Sequence, residues 1–198
     1  MSSRDLPSVV LTVKHFARAK SRMGSVLPPG RRSLLARELF ERALSACLRC
    51  TEVGEVLVAT DGEDVARACR RRRVEVLRDA PGARLGEVVD AALEHLRGRG
   101  VRRAIVLMAD LPDVTPGALC EIGSALRESC LVVVPDASRR GTGAIGVDLT
   151  RPFASCFGHA DSFTRHLRRA RELGLRPRVL IQPRIARDLD RPGDMTPA

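Results

Sequence analysis

Tryptophan and tyrosine are missing from this 198-residue chain, and phenylalanine occurs only five times. The core must therefore be built from Leu, Val, Ile and Ala, and binding of single-stranded nucleic acid by aromatic stacking lacks the side chains it needs. No apolar run is long enough to span a membrane, and none opens the chain in the manner of a secretory leader. The six cysteines (47, 50, 69, 120, 130 and 156) lack the spacing of a disulfide framework. Cys47-Leu-Arg-Cys50 is formally a CxxC pair, but it ends an amphipathic helical run and has no second pair at zinc spacing. These absences describe a reduced, cytoplasmic protein with core or helix cysteines. Its length suits one domain, 1–198.

Lysine is the most telling scarcity. Of 34 basic residues only Lys14 and Lys20 are lysine, and both fall in SVVLTVKHFARAKSRM. That stretch reads as a β-branched strand opening into a loop with Lys14, Arg18, Lys20 and Arg22. A lysine is a compact charge on a flexible stem, suited to a phosphate oxygen, whereas arginine is a wide planar fork. A nucleotide phosphate site is the expectation, against chance survival of two lysines. The net charge of +10 would also suit an anionic nucleotide. The Arg runs at 70–73 and 168–171 read as solvated helix faces, and nucleic acid is not the expected partner.

The remaining pattern alternates strands and helices. Strands are expected at 9–13, 55–60, 74–77, 104–109, 130–135 and 178–181, with an extended, glycine-punctuated stretch at 141–147. Helices are expected at 33–47, after Asp61-Gly62 to about Arg72, at 84–97, 115–127 and 161–173. This alternation implies an α/β fold, a three-layer α/β/α sandwich around a mainly parallel sheet.

In such sheets ligands bind beyond the carboxyl ends of the strands. Asp110 follows the most apolar run, AIVLMA, where it could face a cleft and hold Mg²⁺, or equally serve as a turn residue. Asp188 and Asp190 point the same way if the backbone is extended, and are mutually unfavourable unless a cation offsets them. Arg187 and Arg191 offer a purely structural alternative. Gly141-Thr-Gly143 could bring backbone N–H groups near an anion, and Ser162 could either cap its helix or meet an anion. His166 follows Ser162 by one helical turn and could share its face.

Taken together these stretches resemble the 2-phospho-L-lactate guanylyltransferase family of coenzyme F420 biosynthesis, which includes phosphoenolpyruvate guanylyltransferases. VKHFARAKSRM is similar to the family's VKPLARAKSRL, MADLPDVT to PADLPLLT and PDASRRGTGAIGV to PDRHGTGTNAL. FGHADSFTRHLRRARELGL is similar to FGPGSFARHLAEARAAGL, and RDLDRPGDM to LDVDTPEDL. The resemblance implies a GT-A-like nucleotidyltransferase fold with a mixed sheet. It also implies metal-binding at Asp110 and Asp188 with Asp190 nearby, substrate contacts at Lys14, Thr142, Gly143, Gly158 and Ser162, and Lys20 and Arg22 in the triphosphate-side loop. The implied catalytic set is Lys14, Asp110 and Asp188. The implied reaction is Mg²⁺-dependent attack of a phospho-acid (2-phospho-L-lactate, phosphoenolpyruvate or 3-phosphoglycerate) on the α-phosphorus of GTP, releasing pyrophosphate. A homodimer stays open as the assembly.

Three departures from the family pattern stand out. Ala144 replaces a threonine, removing an expected hydroxyl donor to the acid; Leu85-Gly86 replaces a nucleotide-side LN; and FGHADSF carries one extra residue before Ser162. Two other readings follow. One is a molybdenum-cofactor guanylyltransferase, whose LxxGxSxRxGxxK loop is absent here. The other is a basic nucleic-acid-binding or regulatory paralogue without activity.

Overall fold

Five consecutive uncharged residues, Ser8–Thr12, form β1 in the computed structural model, which describes residues 6–80, 82–190 and 192–195. All five are buried, as expected for a central strand covered on both faces. Two short 3₁₀ turns, Phe16–Arg18 and Ser21–Met23, carry the chain to α1 (Pro29–Arg49). This helix begins four residues before its apolar periodicity does, because Pro29 fits a first helical turn. Then follow β2 (Val56–Thr60), α2 (Glu63–Arg71), β3 (Glu75–Arg78), α3 (Leu85–Gly98), β4 (Arg103–Met108) and α4 (Pro116–Glu128). The remainder comprises β5 (Leu131–Pro135), β6 (Thr142–Asp148), α5 (Ser162–Glu172), β7 (Arg178–Val179) and α6 (Pro183–Ala186).

The seven strands lie in the order β3-β2-β1-β4-β6-β5-β7. All pairings are parallel except those of β6, which runs antiparallel to β4 and β5. The sheet is therefore mixed, the α/β arrangement expected of a GT-A-like nucleotidyltransferase. Its alternating side chains feed two cores. Val9, Leu11, Val58, Ile105, Leu107 and Val132 face the layer of α1, α2, α4 and α6. Val10, Leu57, Ala59, Val106, Val133 and Ile145 face α3 and α5. The cysteines follow the core reading: Cys47 is buried, its thiol pushed up to about 12 chiefly by that burial, and Cys50 faces Cys120 with sulfurs 3.2 Å apart.

Two further elements differ from their sequence expectation. The last strand has two residues instead of four, because after Val179 only Leu180 still donates to the Val133 carbonyl. The stretch expected to be extended at 141–147 is a full strand, Thr142–Asp148, reversed, with Gly143 as the extra residue of a β-bulge: Ala144 pairs with Val134, but Thr142 pairs with Pro135. A Cβ at 143 would stand 2.5 Å from the Ile185 carbonyl oxygen, so glycine lets α6 lie directly on the sheet.

Candidate active site

Because β6 runs backwards, its first residue arrives beside the carboxyl ends of β4 and β5, at the same end of the sheet as that of β1. The loop after β1 is folded across the same end. His15 and Phe16 donate their backbone N–H groups to Asp61 and Asp64 at 3.2 and 3.1 Å, which fastens it over the start of α2. Lys14, just beyond β1, is exposed and makes no ion pair among the described residues.

Lys20 behaves differently. It is a non-glycine residue in the left-handed region (φ 56°), a conformation that costs on the order of 1–3 kcal/mol. Its side chain turns inward, only 6 % exposed, and donates from Nζ to Asp110 Oδ2 at 2.8 Å. Expected at a phosphate tail, it is held here against the Asp110 carboxylate. Arg22, also expected there, donates to Asp190 Oδ2 at 2.5 Å. The cationic loop is strapped to the two acidic segments. Arg191, once weighed as their structural partner, lies outside the described residues; Arg187 stands 3.6 Å from Asp113.

Asp110 sits in the turn after β4, and its carbonyl accepts from Leu189 N at 3.2 Å, clipping the 188–190 segment to the end of that strand. Burial, and next the neighbouring Asp110 carboxylate, push Asp188 above the ordinary carboxylate range. The half-buried Asp188 carboxylate, set beside the Asp110 carboxylate that already draws in the Lys20 ammonium, gives a donor set that could hold a cation. Mg²⁺ is commonly held by one or two carboxylates plus phosphate oxygens and water, so Asp110 and Asp188 fit that ion. Asp190 does not complete a three-ligand group: among the described residues no three His, Cys, Asp or Glu side chains gather for a metal, and its carboxylate is taken by Arg22.

Thr142, Ser162 and His166 come together on the α5 side of the sheet. Ser162 Oγ donates to Thr142 Oγ1 at 3.2 Å, and His166 Nδ1 lies 3.1 Å from the same oxygen. Ser162 does not cap α5, since Asp161 occupies the N-cap position and the serine hydroxyl is engaged with Thr142. Gly158, in the left-handed region at φ +88°, packs against Leu85 at the start of α3. The additional residue of FGHADSF is absorbed in the turn where Ser162 N donates to the His159 carbonyl.

The other two departures have a different meaning from the one expected. Ala144 is fully buried among the first-layer core residues, so a hydroxyl there would face the core and not an acceptor acid. At Gly86 a Cβ would approach the Phe157 carbonyl oxygen to 3.1 Å, so the position is filled by backbone.

One group was not singled out from sequence. Asp79 follows β3 and helps line a cavity of about 260 Å³ with Leu77, Arg78, Ala83, Glu87 and Val88. Among the described residues its carboxylate has no hydrogen bond or ion pair, and burial, followed by the Asp61 charge, pushes it up to about 6. A lone aspartate in RDAPGARL carries no local signal of this.

Comparison with known proteins places the chain in a family. Residues 20–187 match the MobA-like NTP transferase domain. The chain is 32 % identical over 186 residues to the phosphoenolpyruvate guanylyltransferase of Chloroflexus aggregans, covering 92 % of this chain and 91 % of that one. It is 32 % identical over 184 residues to the 2-phospho-L-lactate guanylyltransferase of Halorubrum lacusprofundi, covering 90 % of this chain and 77 % of the other. Among solved structures, a protein from Desulfovibrio desulfuricans G20 assigned as a nucleotide-diphospho-sugar transferase superposes with a TM-score of 0.77 at 18 % identity, covering 91 % of this chain and 80 % of that one.

Proposed function

The chain belongs to the 2-phospho-L-lactate and phosphoenolpyruvate guanylyltransferases within the MobA-like NTP transferases and is a nucleotidyltransferase, and from that membership we propose that it joins GMP from GTP to phosphoenolpyruvate. The observation that carries this reading is the order of groups along the strand ends. Asp79 stands at β3, the Lys14–Arg22 loop at β1, Asp110 and Asp188 at β4, and Thr142 with Ser162 at β6. With strands about 4.8 Å apart, three steps from β3 to β4 span about 14 Å, a reach that an extended nucleoside triphosphate bridges.

In this reading the half-buried Asp79 carboxylate accepts from the N–H edge of guanine, which presents two donors side by side. Lys14 and the loop arginines meet the phosphates. The acceptor acid lies against Thr142 and Ser162, with its phosphate turned to the nucleotide. A phosphate oxygen of the acid forms the new bond to the α-phosphorus as the bond to the β-phosphate oxygen breaks, and pyrophosphate leaves with that electron pair. Lys14 offsets the charge gathering on the leaving group. Asp110 and Asp188 would hold Mg²⁺, which supplies charge neutralisation on the phosphates when bound. The names of several relatives favour phosphoenolpyruvate, and one names 2-phospho-L-lactate; the product in either case would feed coenzyme F420 biosynthesis in the cytoplasm.

The test incubates the protein with each NTP, Mg²⁺ and, separately, phosphoenolpyruvate, 2-phospho-L-lactate and 3-phosphoglycerate, and identifies the product by mass. A guanylylated acid with stoichiometric pyrophosphate is expected. Asp110→Ala should lower turnover by at least about a hundredfold, the scale of removing a group that stabilises transition-state charge. Full turnover in that variant would sink the metal assignment.

A further inference from the structure

Thr142, Ser162 and His166 are 8 %, 4 % and 0 % exposed, a buried chain of three polar side chains. Its polarity is set from the inner end. The backbone N–H of Cys156 reaches His166 Nε2 at 2.8 Å, and an amide N–H only donates, so Nε2 presents its lone pair. A neutral imidazole then carries its proton on Nδ1. Burial favours that neutral state, pulling His166 down to about 4, with the nearby His159 adding to the effect. Nδ1–H therefore donates to Thr142 Oγ1 across 3.1 Å, while Ser162 Oγ donates to the same oxygen across 3.2 Å. A hydroxyl oxygen has two lone pairs, and both are now used. What Thr142 has left is its own proton. Phe153 and Phe157 flank the imidazole, with ring centroids 6.1 and 5.0 Å away, and keep its plane in place.

We infer that His166 is a positioning residue: by way of the tautomer that the Cys156 amide selects, it makes the Thr142 hydroxyl an obligate donor to an oxyanion of the acceptor acid. The inference rests on reading the start of β6 as the acceptor side. Its chemical content is narrower than a contact. A hydroxyl free to rotate accepts or donates as the ligand requires, whereas Thr142 held in this way favours a carboxylate or phosphate oxygen and offers nothing to a group that only donates, such as an amide or ammonium N–H.

Two measurements test it. Long-range ¹H–¹⁵N correlation on the histidine-labelled parent protein near neutral pH should show His166 protonated on Nδ1 and bare on Nε2; the reverse tautomer overturns the inference without reference to any substrate. Steady-state kinetics then compare two replacements. His166→Asn keeps an amide N–H where Nδ1 stood but loses the acceptor for Cys156, whereas His166→Gln keeps an acceptor near Nε2 but loses the donor to Thr142. The expected result is that His166→Gln raises KM for phosphoenolpyruvate on the order of tenfold, with KM for GTP little changed, and that His166→Asn recovers most of that loss. If the Gln variant matches the Asn variant or does better, His166 serves only to anchor Cys156 and the inference is overturned. If the parent protein transfers GMP to no phospho-acid, the functional reading itself fails and takes the acceptor assignment with it, while the tautomer result still decides the hydrogen-bond chain separately.

Discussion

Thr12 closes β1 with a hydroxyl that is sealed from solvent and has no hydrogen-bond partner among the described residues. An unpaired buried hydroxyl is costly, and valine has nearly the same shape, so Thr12→Val should raise stability by about 1 kcal/mol in denaturant unfolding. A matched loss of activity would instead give that hydroxyl a role at the ligand. Asp79 offers a test with a sign. It is an acid whose folded pKa is raised, from the ordinary 3.8 to about 6. The folded state thus holds the proton more tightly than the unfolded chain, so Asp79 costs nothing below about pH 4, weighs against folding increasingly between pH 4 and 6, and carries its full cost above 6. Asp79→Asn should therefore stabilise the protein above pH 6 and change little below 4, as read from thermal melts across pH. In the same variant any preference for GTP over ATP in kcat/KM, as the proposed function expects, should fall. Residues of this kind were unevenly legible. Asp110 could be picked out because an apolar run ends abruptly on it. The partner of Lys20 could not, since it lies 90 residues away and the contact depends on a left-handed backbone at the lysine.

At the level of elements, the central parallel strands were legible because burial on both faces leaves continuous apolar runs. The reversal of β6 was not. TGAIGV has neither a clean alternation nor an apolar run, and its register depends on a bulge that exists to admit α6. That packing makes Gly143 a structural hinge-pin of the site. In Gly143→Ala the methyl would meet the Ile185 carbonyl oxygen at 2.5 Å and must push α6 off the sheet. A loss of about 1–3 kcal/mol is expected, the usual range for overpacking. Because α6 leads directly to Asp188, turnover should fall further than stability alone accounts for, with Mg²⁺ titration showing a weaker apparent affinity. Unchanged Mg²⁺ dependence would separate α6 from the acidic segment.

For the whole molecule, the charge of +10 was plain from composition, whereas its use was not. Many arginines are engaged in surface pairs, such as Arg127 with Glu52 and Arg178 with Glu128, each worth little by itself. The surplus still creates a positive field, which on the proposed function would draw in GTP. Raising salt from about 0.01 M to 1 M shortens the Debye length from about 30 to 3 Å, and kcat/KM for GTP should fall several-fold over that range while kcat moves less. Flat kcat/KM would mean that the field has no part in capture. The reversed strand has a consequence of another kind. The groups read as meeting the nucleotide, Lys14 and Asp79, precede residue 80, and those read as meeting the acid, Thr142 and Ser162, follow residue 140, with Asp110 and Asp188 contributed from either side of β6. The two substrates are thus assigned to separate stretches of the gene. A descendant of this chain could exchange its acid by altering the second stretch alone, leaving the inherited nucleotide half untouched.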